Sequence, residues 1–283
     1  MVKYKKIFVG SRCNNNCLYC SSKDKEQTIP DFNDIVHEMT NSEVDSIEFC
    51  GGEPTIRSDF IQIIDRARHM GFRRIKVLTN GRIFSDMQMV IKSIEAGCYL
   101  FEIKIWGSNP DIHDYITQTK GSFWQTIQGL KNLQRLPIDK FICIRIPICR
   151  QNYMDLQNII ATIIPYKINR LILSFKDSSL PMRHALPYIE KSINISILNR
   201  VWILTENIPF CVMQGLEHHI HALYNVDKTP YEISYEYHEN CKVCIYKSVC
   251  PGVDSQYLKN FGYQEFSPVI ESKHPQDIKK LYE

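Results

Sequence analysis

The sequence predicts an α/β fold with parallel strands over residues 1–205, followed by a small, irregular, cysteine-rich domain over residues 206–283. Three observations carry this reading. Short runs rich in Ile, Val, Leu and Phe, bounded by Gly, Asn, Ser or Pro, recur along the first part as strands do. Segments of helical apolar spacing lie between them, and crossover connections of that kind join parallel strands. After about residue 206 the alternation stops, and Tyr, His and four cysteines take over.

The strand runs are "KIFVG" (6–10), "SIEFC" (46–50), "RIKVLT" (74–79), "YLFEIKIW" (99–106), "FICIRIPI" (141–148) and "RLILSF" (170–175). In "SDFIQIIDRARHMG" Ser58 is the expected cap, Phe60, Ile61 and Ile64 the apolar face, and Gly71 the stop. "SDMQMVIKSIEAG" repeats that grammar with Ser85 and Gly97, and "SFWQTIQGLKNL" sets Phe123, Ile127 and Leu130 on one face. Periodicity alone is compatible with an open sheet and with a partial barrel. Both gather ligands at the carboxyl ends of the strands. There is no repeat of solenoid period and no low-complexity tract.

A chain of 283 residues buries enough surface to fold without disulfide staples. Its net charge of +3 is too mild to argue for a nucleic-acid partner. The short basic clusters Lys3/Lys5/Lys6 and Arg66/Arg68/Arg73/Arg74 read as solvated faces. The N-terminal apolar stretch is too short for a signal peptide, and no run approaches the ~18 residues of a membrane span. The expected location is the cytoplasm, away from membranes, where thiols stay reduced. Eleven cysteines in that compartment, an odd number, point to metal or catalysis before disulfides.

Three of them crowd into "SRCNNNCLYC" as Cys13, Cys17 and Cys20, behind the first strand. Zinc modules space their ligands in separated pairs or add histidine. A compact run suits an iron–sulfur cluster, where each iron of a cubane takes one thiolate. Three thiols leave one iron open. A zinc site or an inert thiol group is the alternative.

The run resembles the CxxxCxΦC hallmark of the radical S-adenosylmethionine (SAM) superfamily, with Tyr19 as the aromatic Φ. The resemblance implies a [4Fe–4S] cluster on the catalytic, metal-ligating Cys13, Cys17 and Cys20. SAM would be chelated by the open iron and cleaved to a 5′-deoxyadenosyl radical, with Tyr19 near the adenine. It further implies a partial (β/α)6 TIM-type barrel. "CGGEPT" (50–55) matches the family's GGE motif, so Gly51, Gly52, Glu53 and Pro54 are expected at the SAM methionyl group, the glycines permitting close backbone approach. Asn80, in Thr79-Asn80-Gly81, matches a further family position.

At the end of the fourth strand relatives often carry SLDG and then HD; this chain has Lys104-Ile-Trp-Gly107, then "SNPDIHD". Lys104 is expected to reach a carboxylate, with an ion pair to Glu102 or Glu53 as the alternative. Arg145 sits where some relatives contact SAM, with pairing to a barrel carboxylate as the alternative.

"CKVCIYKSVC" gives Cys241, Cys244 and Cys250, a spacing that resembles the SPASM and twitch domains behind many radical SAM cores. With Cys211 as the nearest spare thiol, the resemblance implies one auxiliary [4Fe–4S] cluster, serving as an electron relay or a structural element. Zinc on the same thiols is the alternative, and His218, His219, His221 and His238 are alternative ligands. Cys50, Cys98, Cys143 and Cys149 remain, as small buried hydrophobes or as hydrogen-atom donors.

Within this resemblance the expected substrate is a ribosomally made peptide, crosslinked, epimerised or oxidised. A small molecule or nucleoside is the second reading, and a non-catalytic iron–sulfur or zinc protein the third. No leader-binding winged-helix module is expected before the first strand. The expected electron donor is a flavodoxin or ferredoxin.

Overall fold

The computed structural model of the chain describes residues 3–20, 29–137, 139–224 and 235–271. Apart from Met1, the chain divides into two compact units: Val2–Arg145 with Thr162–Asn169, and Ile146–Ala161 with Arg170–Glu283. The boundary expected at residue 205 follows a change of sequence texture, whereas these units follow compactness. Both divisions keep residues 206–271 together.

In the first unit, β1 (Lys5–Phe8), α1 (Phe32–Thr40), β2 (Ser46–Cys50), α2 (Phe60–His69), β3 (Arg74–Thr79), α3 (Met87–Ala96) and β4 (Cys98–Lys104) alternate strand with helix. Two helices, α4 (Pro110–Thr117) and α5 (Ser122–Arg135), precede β5 (Phe141–Ile148), which leaves the unit at Ile146. Each strand pairs parallel with the next. Among the described residues the ladder begins at β1, which is bonded on one side only, as in a partial barrel and unlike a closed one.

The strands at 46–50, 74–79, 141–148 and 170–175 stand where the apolar runs place them. The first is shorter than expected, and the fourth ends at Lys104, so Trp106 lies in the following loop. The helix caps differ too. α2 begins after Asp59, which makes no side-chain cap bond, and α3 after Asp86, whose carboxylate accepts from Gln88 N–H. Ser58 and Ser85 stand one residue too early. Gly97 ends α3 in the left-handed conformation at φ 117°. α5 buries Phe123, Ile127 and Leu130, whereas α2 buries Ile63 in place of the expected Ile61.

One face of β2–β5 carries charge. Lys76 Nζ lies 2.7 Å from Glu48 and 2.5 Å from Glu102, and Arg145 Nε pairs with Glu102. Burial alone would lower the Lys76 pKa, but the two carboxylates outweigh it and hold the ammonium charged. A one-residue irregularity between Ile75 and Lys76 sets Lys76 opposite Leu100, two residues from Glu102 on the same face.

The second unit includes α6 (Leu156–Ile163) up to Ala161, then β6 (Arg170–Phe175), α7 (Met182–Leu198) and β7 (Trp202–Glu206), with β6 and β7 parallel. β7 is a further strand beyond the six read from sequence. The cysteine-rich segment is less irregular than expected. β8 (Tyr235–Glu236) pairs antiparallel with β9 (Val253–Asp254), and Asp254 caps α8 (Ser255–Phe261). Tyr257 fixes α8 inside the unit, its hydroxyl accepting from Met182 N–H at 2.8 Å and donating to Glu265. No helix among the described residues is long and apolar enough to cross a membrane.

Candidate active site

The loop after β1 carries Cys13, Cys17 and Cys20, and the GGE segment runs beside it as an extension of the ladder. Val9 N–H donates to Cys50 O at 2.9 Å, Gly52 N–H to Gly10 O at 2.7 Å, and Glu53 N–H to Arg12 O at 2.8 Å. The glycines make this possible. A Cβ on Gly51, where φ is +140°, would stand 2.3 Å from Gly10 O; one on Gly52 would stand 2.2 Å from Arg12 O. The close approach expected for a ligand is made here by the chain's own cysteine loop.

The opposite side of the loop is held by α4, whose last carbonyls accept from the loop: Asn16 N–H to Thr117 O at 3.0 Å, Leu18 N–H to Ile116 O at 2.9 Å. A third anchor comes from the β3 end. Asn80 Nδ2 donates to Asn14 Oδ1 at 2.7 Å, and Arg82 donates to Asn14 O, to Asn15 Oδ1 at 2.7 Å and to Gln125 Oε1 at 2.7 Å. α5 supports that turn in turn, with Thr126 donating to Asn80 O at 3.0 Å. Arg82, Thr117 and Thr126 carry no motif, and sequence reading missed them.

Glu53 is buried and nearly saturated. Its Oε1 accepts from Thr55 N–H at 3.1 Å and from the hydroxyls of Thr55 and Thr79, both at 2.6 Å; Oε2 accepts from Asn80 N–H at 2.6 Å. Each carboxylate oxygen offers about two lone-pair sites, so Oε2, with Asn80 N–H its one donor among the described residues, has one place left for a ligand. The main work of Glu53 is to join the ends of β2 and β3. Pro54 opens the buried 3-10 turn that follows.

After β4, Trp106 stacks on Tyr19 with ring centroids 6.1 Å apart and planes 22° apart. His113 Nδ1 accepts from Trp106 N–H at 3.3 Å. Burial lowers the His113 pKa to about 4, which keeps the ring a neutral acceptor. Asp114 accepts from Gly121 N–H at 2.6 Å, Ser122 hydroxyl at 2.8 Å and Phe123 N–H at 2.8 Å, and so starts α5. His113 and Asp114 thus brace the wall carrying Trp106. Lys104 is half-buried and makes no ion pair with Glu102, Glu53 or any other group among the described residues. Arg145 donates through Nε to Glu102, the barrel carboxylate pairing offered as its alternative.

Burial pushes the Cys17 thiol up to about 12, with Cys13 and Cys20 adding repulsion; Cys13 is raised as well. Asn15 N–H points at Cys13 Sγ from 3.4 Å. Raised in this way, the Cys13 and Cys17 thiols stay protonated until a cation takes them as thiolates.

In the second unit Cys211, Cys241, Cys244 and Cys250 line one cavity of about 30 Å³, with Phe210 and Tyr237 among its walls. Burial, then Cys250 and Cys241, push Cys211 up to about 12. His238 also lines this cavity, while its Nδ1 accepts from Asn240 N–H at 3.2 Å. His218 and His219 are buried rather than solvated, their rings 4.1 Å apart, and His221 lies 3.6 Å from Glu206. No three His, Cys, Asp or Glu side chains among the described residues gather tightly enough to hold a single metal ion. The four thiols line that cavity together, as the ligands of one shared metal site or cluster would. Among the other cysteines, Cys98, Cys143 and Cys149 are buried, and Cys50 points its thiol at Ile7 O.

Known proteins match parts of this chain in sequence. The Radical SAM superfamily model covers residues 7–163. A probable GTP 3′,8-cyclase of Methanothermobacter marburgensis is 30% identical over 118 residues, 40% of this chain and 38% of that one. The mycofactocin maturase MftC of Mycolicibacterium smegmatis is 33% identical over 130 residues, 43% of this chain and 31% of that one. The chain therefore spans well under half the length of these relatives. The solved structure of native anSMEcpe with bound AdoMet and Cp18Cys peptide shares the fold, with a TM-score of 0.65 at 13% identity over 94% of this chain and 92% of that one. With the family's model matched over more than half of its length, on the strand–helix units that carry the cysteine loop, the chain belongs to the radical SAM superfamily, enzymes that work through SAM and a [4Fe–4S] cluster.

Proposed function

We propose that Cys13, Cys17 and Cys20 hold the [4Fe–4S] cluster and that SAM lies between it and the ends of β2–β4. The observation that carries this is the triple anchoring of the cysteine loop by the GGE backbone, the α4 carbonyls and the Asn80/Arg82 side chains. When bound and reduced, the cluster supplies the electron that cleaves SAM to methionine and a 5′-deoxyadenosyl radical. The chain's own part is positional. Gly51, Gly52, Glu53 and Pro54 form one wall and Asn80 the next, and the Tyr19–Trp106 pair faces the adenosyl end. Lys104 and Arg145 form the floor.

Cys211, Cys241, Cys244 and Cys250 hold one auxiliary [4Fe–4S] cluster in a twitch-like domain over residues 206–283, acting as an electron relay. A flavodoxin or ferredoxin supplies the first electron, in the cytoplasm. The substrate is a ribosomally made peptide, a reading supported by a fold likeness over nearly the whole chain to a structure holding AdoMet and a peptide. A nucleotide-like small molecule is the second reading, favoured by the similarity to a GTP 3′,8-cyclase.

Anaerobic reconstitution tests both sites. The chain should load about eight iron atoms, and Ala at positions 13, 17 and 20 together should leave about four. Cys211→Ala should change the auxiliary spectrum and spare SAM cleavage. Full iron retention in the triple variant would overturn the first assignment, and an unchanged spectrum in Cys211→Ala the second. Release of 5′-deoxyadenosine is then compared between peptides from neighbouring reading frames and GTP.

A further inference from the structure

Arg57 lies between the GGE segment and α2. Its side chain is 13% exposed and uses four of the five N–H groups of its guanidinium in hydrogen bonds. Nε and Nη2 fork onto the two carboxylate oxygens of Asp59, each at 2.8 Å. Nη1 donates to two backbone carbonyls, Val9 O at 2.8 Å and Pro30 O at 3.0 Å.

Those carbonyls are far apart in sequence. At Val9 the chain leaves β1 for the cysteine loop, and at Pro30 it returns to Asp31, the cap of α1. Cys13, Cys17 and Cys20 all lie between them. One nitrogen therefore holds both feet of the thiol-bearing segment, their oxygens within about 6 Å, the reach of its two bonds end to end. The three anchors described above grip the segment no further than Leu18, ahead of Cys20. The bond to Pro30 grips the return. Asp59 stands at the cap position of α2 yet gives the helix no side-chain bond, its oxygens facing Arg57 instead. That bidentate fork fixes the plane of the guanidinium and so aims Nη1. A cavity of about 530 Å³ opens here, lined by Val9, Cys13, Ile29 and Glu53 as well as Arg57. Side-chain packing leaves this side of the segment open, so the grip there is hydrogen-bonded.

We infer that Arg57, braced by Asp59, is a positioning residue for the first cluster: it clasps the entry and exit of the cysteine segment. Closing a segment of roughly twenty residues costs entropy, and a clasp at its feet removes that cost from cluster binding. This rests on the cluster assignment proposed above, and Arg57 acts through the backbone of the segment.

The test is hydrogen exchange, read by mass spectrometry on the anaerobic full chain before and after iron–sulfur reconstitution. Val9, Asn16 and Leu18 N–H, bonded to the carbonyls of Cys50, Thr117 and Ile116, report on the segment; Ile63 N–H, bonded to Asp59 O, reports on α2. In Arg57→Met the segment amides should exchange about tenfold faster or more, the effect of losing one hydrogen bond from a charged donor. Ile63 should exchange no faster, since Asp59 is then free to cap α2. Arg57→Lys, the milder change, should show the same loss, because an ammonium cannot fork onto Asp59 and reach two carbonyls as well. After reconstitution, both variants should lose the SAM-responsive paramagnetic signal to an iron chelator several-fold faster than wild type. Unchanged exchange of the segment amides, faster exchange at Ile63, full protection in Arg57→Lys or an unchanged chelation rate overturns the inference. Wild-type segment amides that gain no protection on reconstitution overturn the cluster assignment itself, while exchange in the unreconstituted chain still judges the clasp.

Discussion

Replacing Gly52 by alanine puts a methyl group where the cysteine loop already is. The new Cβ would stand 2.2 Å from Arg12 O and 2.3 Å from Ser11 O, both backbone atoms that no rotamer change can move. An ordinary contact is 3.4 Å, so one backbone must retreat by about 1.2 Å, the difference between those two distances. A retreat of that size breaks the bonds from Gly52 N–H to Gly10 O and from Glu53 N–H to Arg12 O, now 2.7 and 2.8 Å long. Two such bonds at about 1 kcal/mol each, with about 1 kcal/mol or more of overpacking, give a loss of roughly 2–4 kcal/mol. Because the moving part carries Cys13, cluster loading should fall with it. Gly71→Ala is the control. Gly71 sits at φ +93° with nothing within 4 Å, so it costs only backbone strain of about 1–2 kcal/mol and leaves the loop alone. Iron content after anaerobic reconstitution and urea unfolding midpoints measure both effects. A Gly52→Ala chain that loads iron fully while Gly71→Ala does the same would refute the steric reasoning.

Two further perturbations probe the braces around the loop. Arg82→Ala removes the bonds to Asn14, Asn15 and Gln125, so the cluster should be stripped several-fold faster by an iron chelator and stability should fall by about 1–2 kcal/mol; an unchanged stripping rate would show that the other anchors suffice. His113 titrates at about 4 when folded, against about 6.5 when unfolded. The unfolded chain therefore binds the proton first as pH falls. The stability owed to the neutral ring is complete above pH ~6.5 and lost on the way down towards pH ~4, roughly 2 kcal/mol of it by pH ~5. His113→Gln should flatten that part of the pH profile of the urea midpoint relative to wild type, and parallel profiles would contradict the assignment.

The legible parts of the molecule are those encoded by neighbours in sequence. Doubly buried strands such as "RIKVLT" show as continuous apolar runs, and the three thiols and Gly51-Gly52-Glu53 declare themselves by spacing. The serine caps were plausible, yet each is followed by an aspartate one residue nearer the helix, and polar residues side by side do not say which will cap. β7 was hidden behind α7, whose internal Pro187 and many polar residues break the helical pattern that would have announced a crossover. The anchors of the cysteine loop were unreadable for a different reason. Two are backbone carbonyls of α4, which any residue would supply, and Arg82 is one arginine among many until the turn after β3 aims it. Lys104 was visible as a departure from the family's pattern. That its expected partners are already engaged elsewhere required the strand register.

The buried charges beneath the site also bear on how the strands find one another. If β3 slid by one residue against its neighbours, Lys76 would turn to the helix-covered face, and Ile75 or Val77 would meet Glu48 and Glu102. Glu48 would then be buried without a cation and Glu102 would keep only Arg145, a penalty of several kcal/mol that misplaced apolar side chains cannot offset. A purely aliphatic interior would tolerate such a slip far better. The ion-paired row therefore works as a keyed lock on strand alignment, accepting one arrangement of β2 to β5 and rejecting its neighbours during assembly.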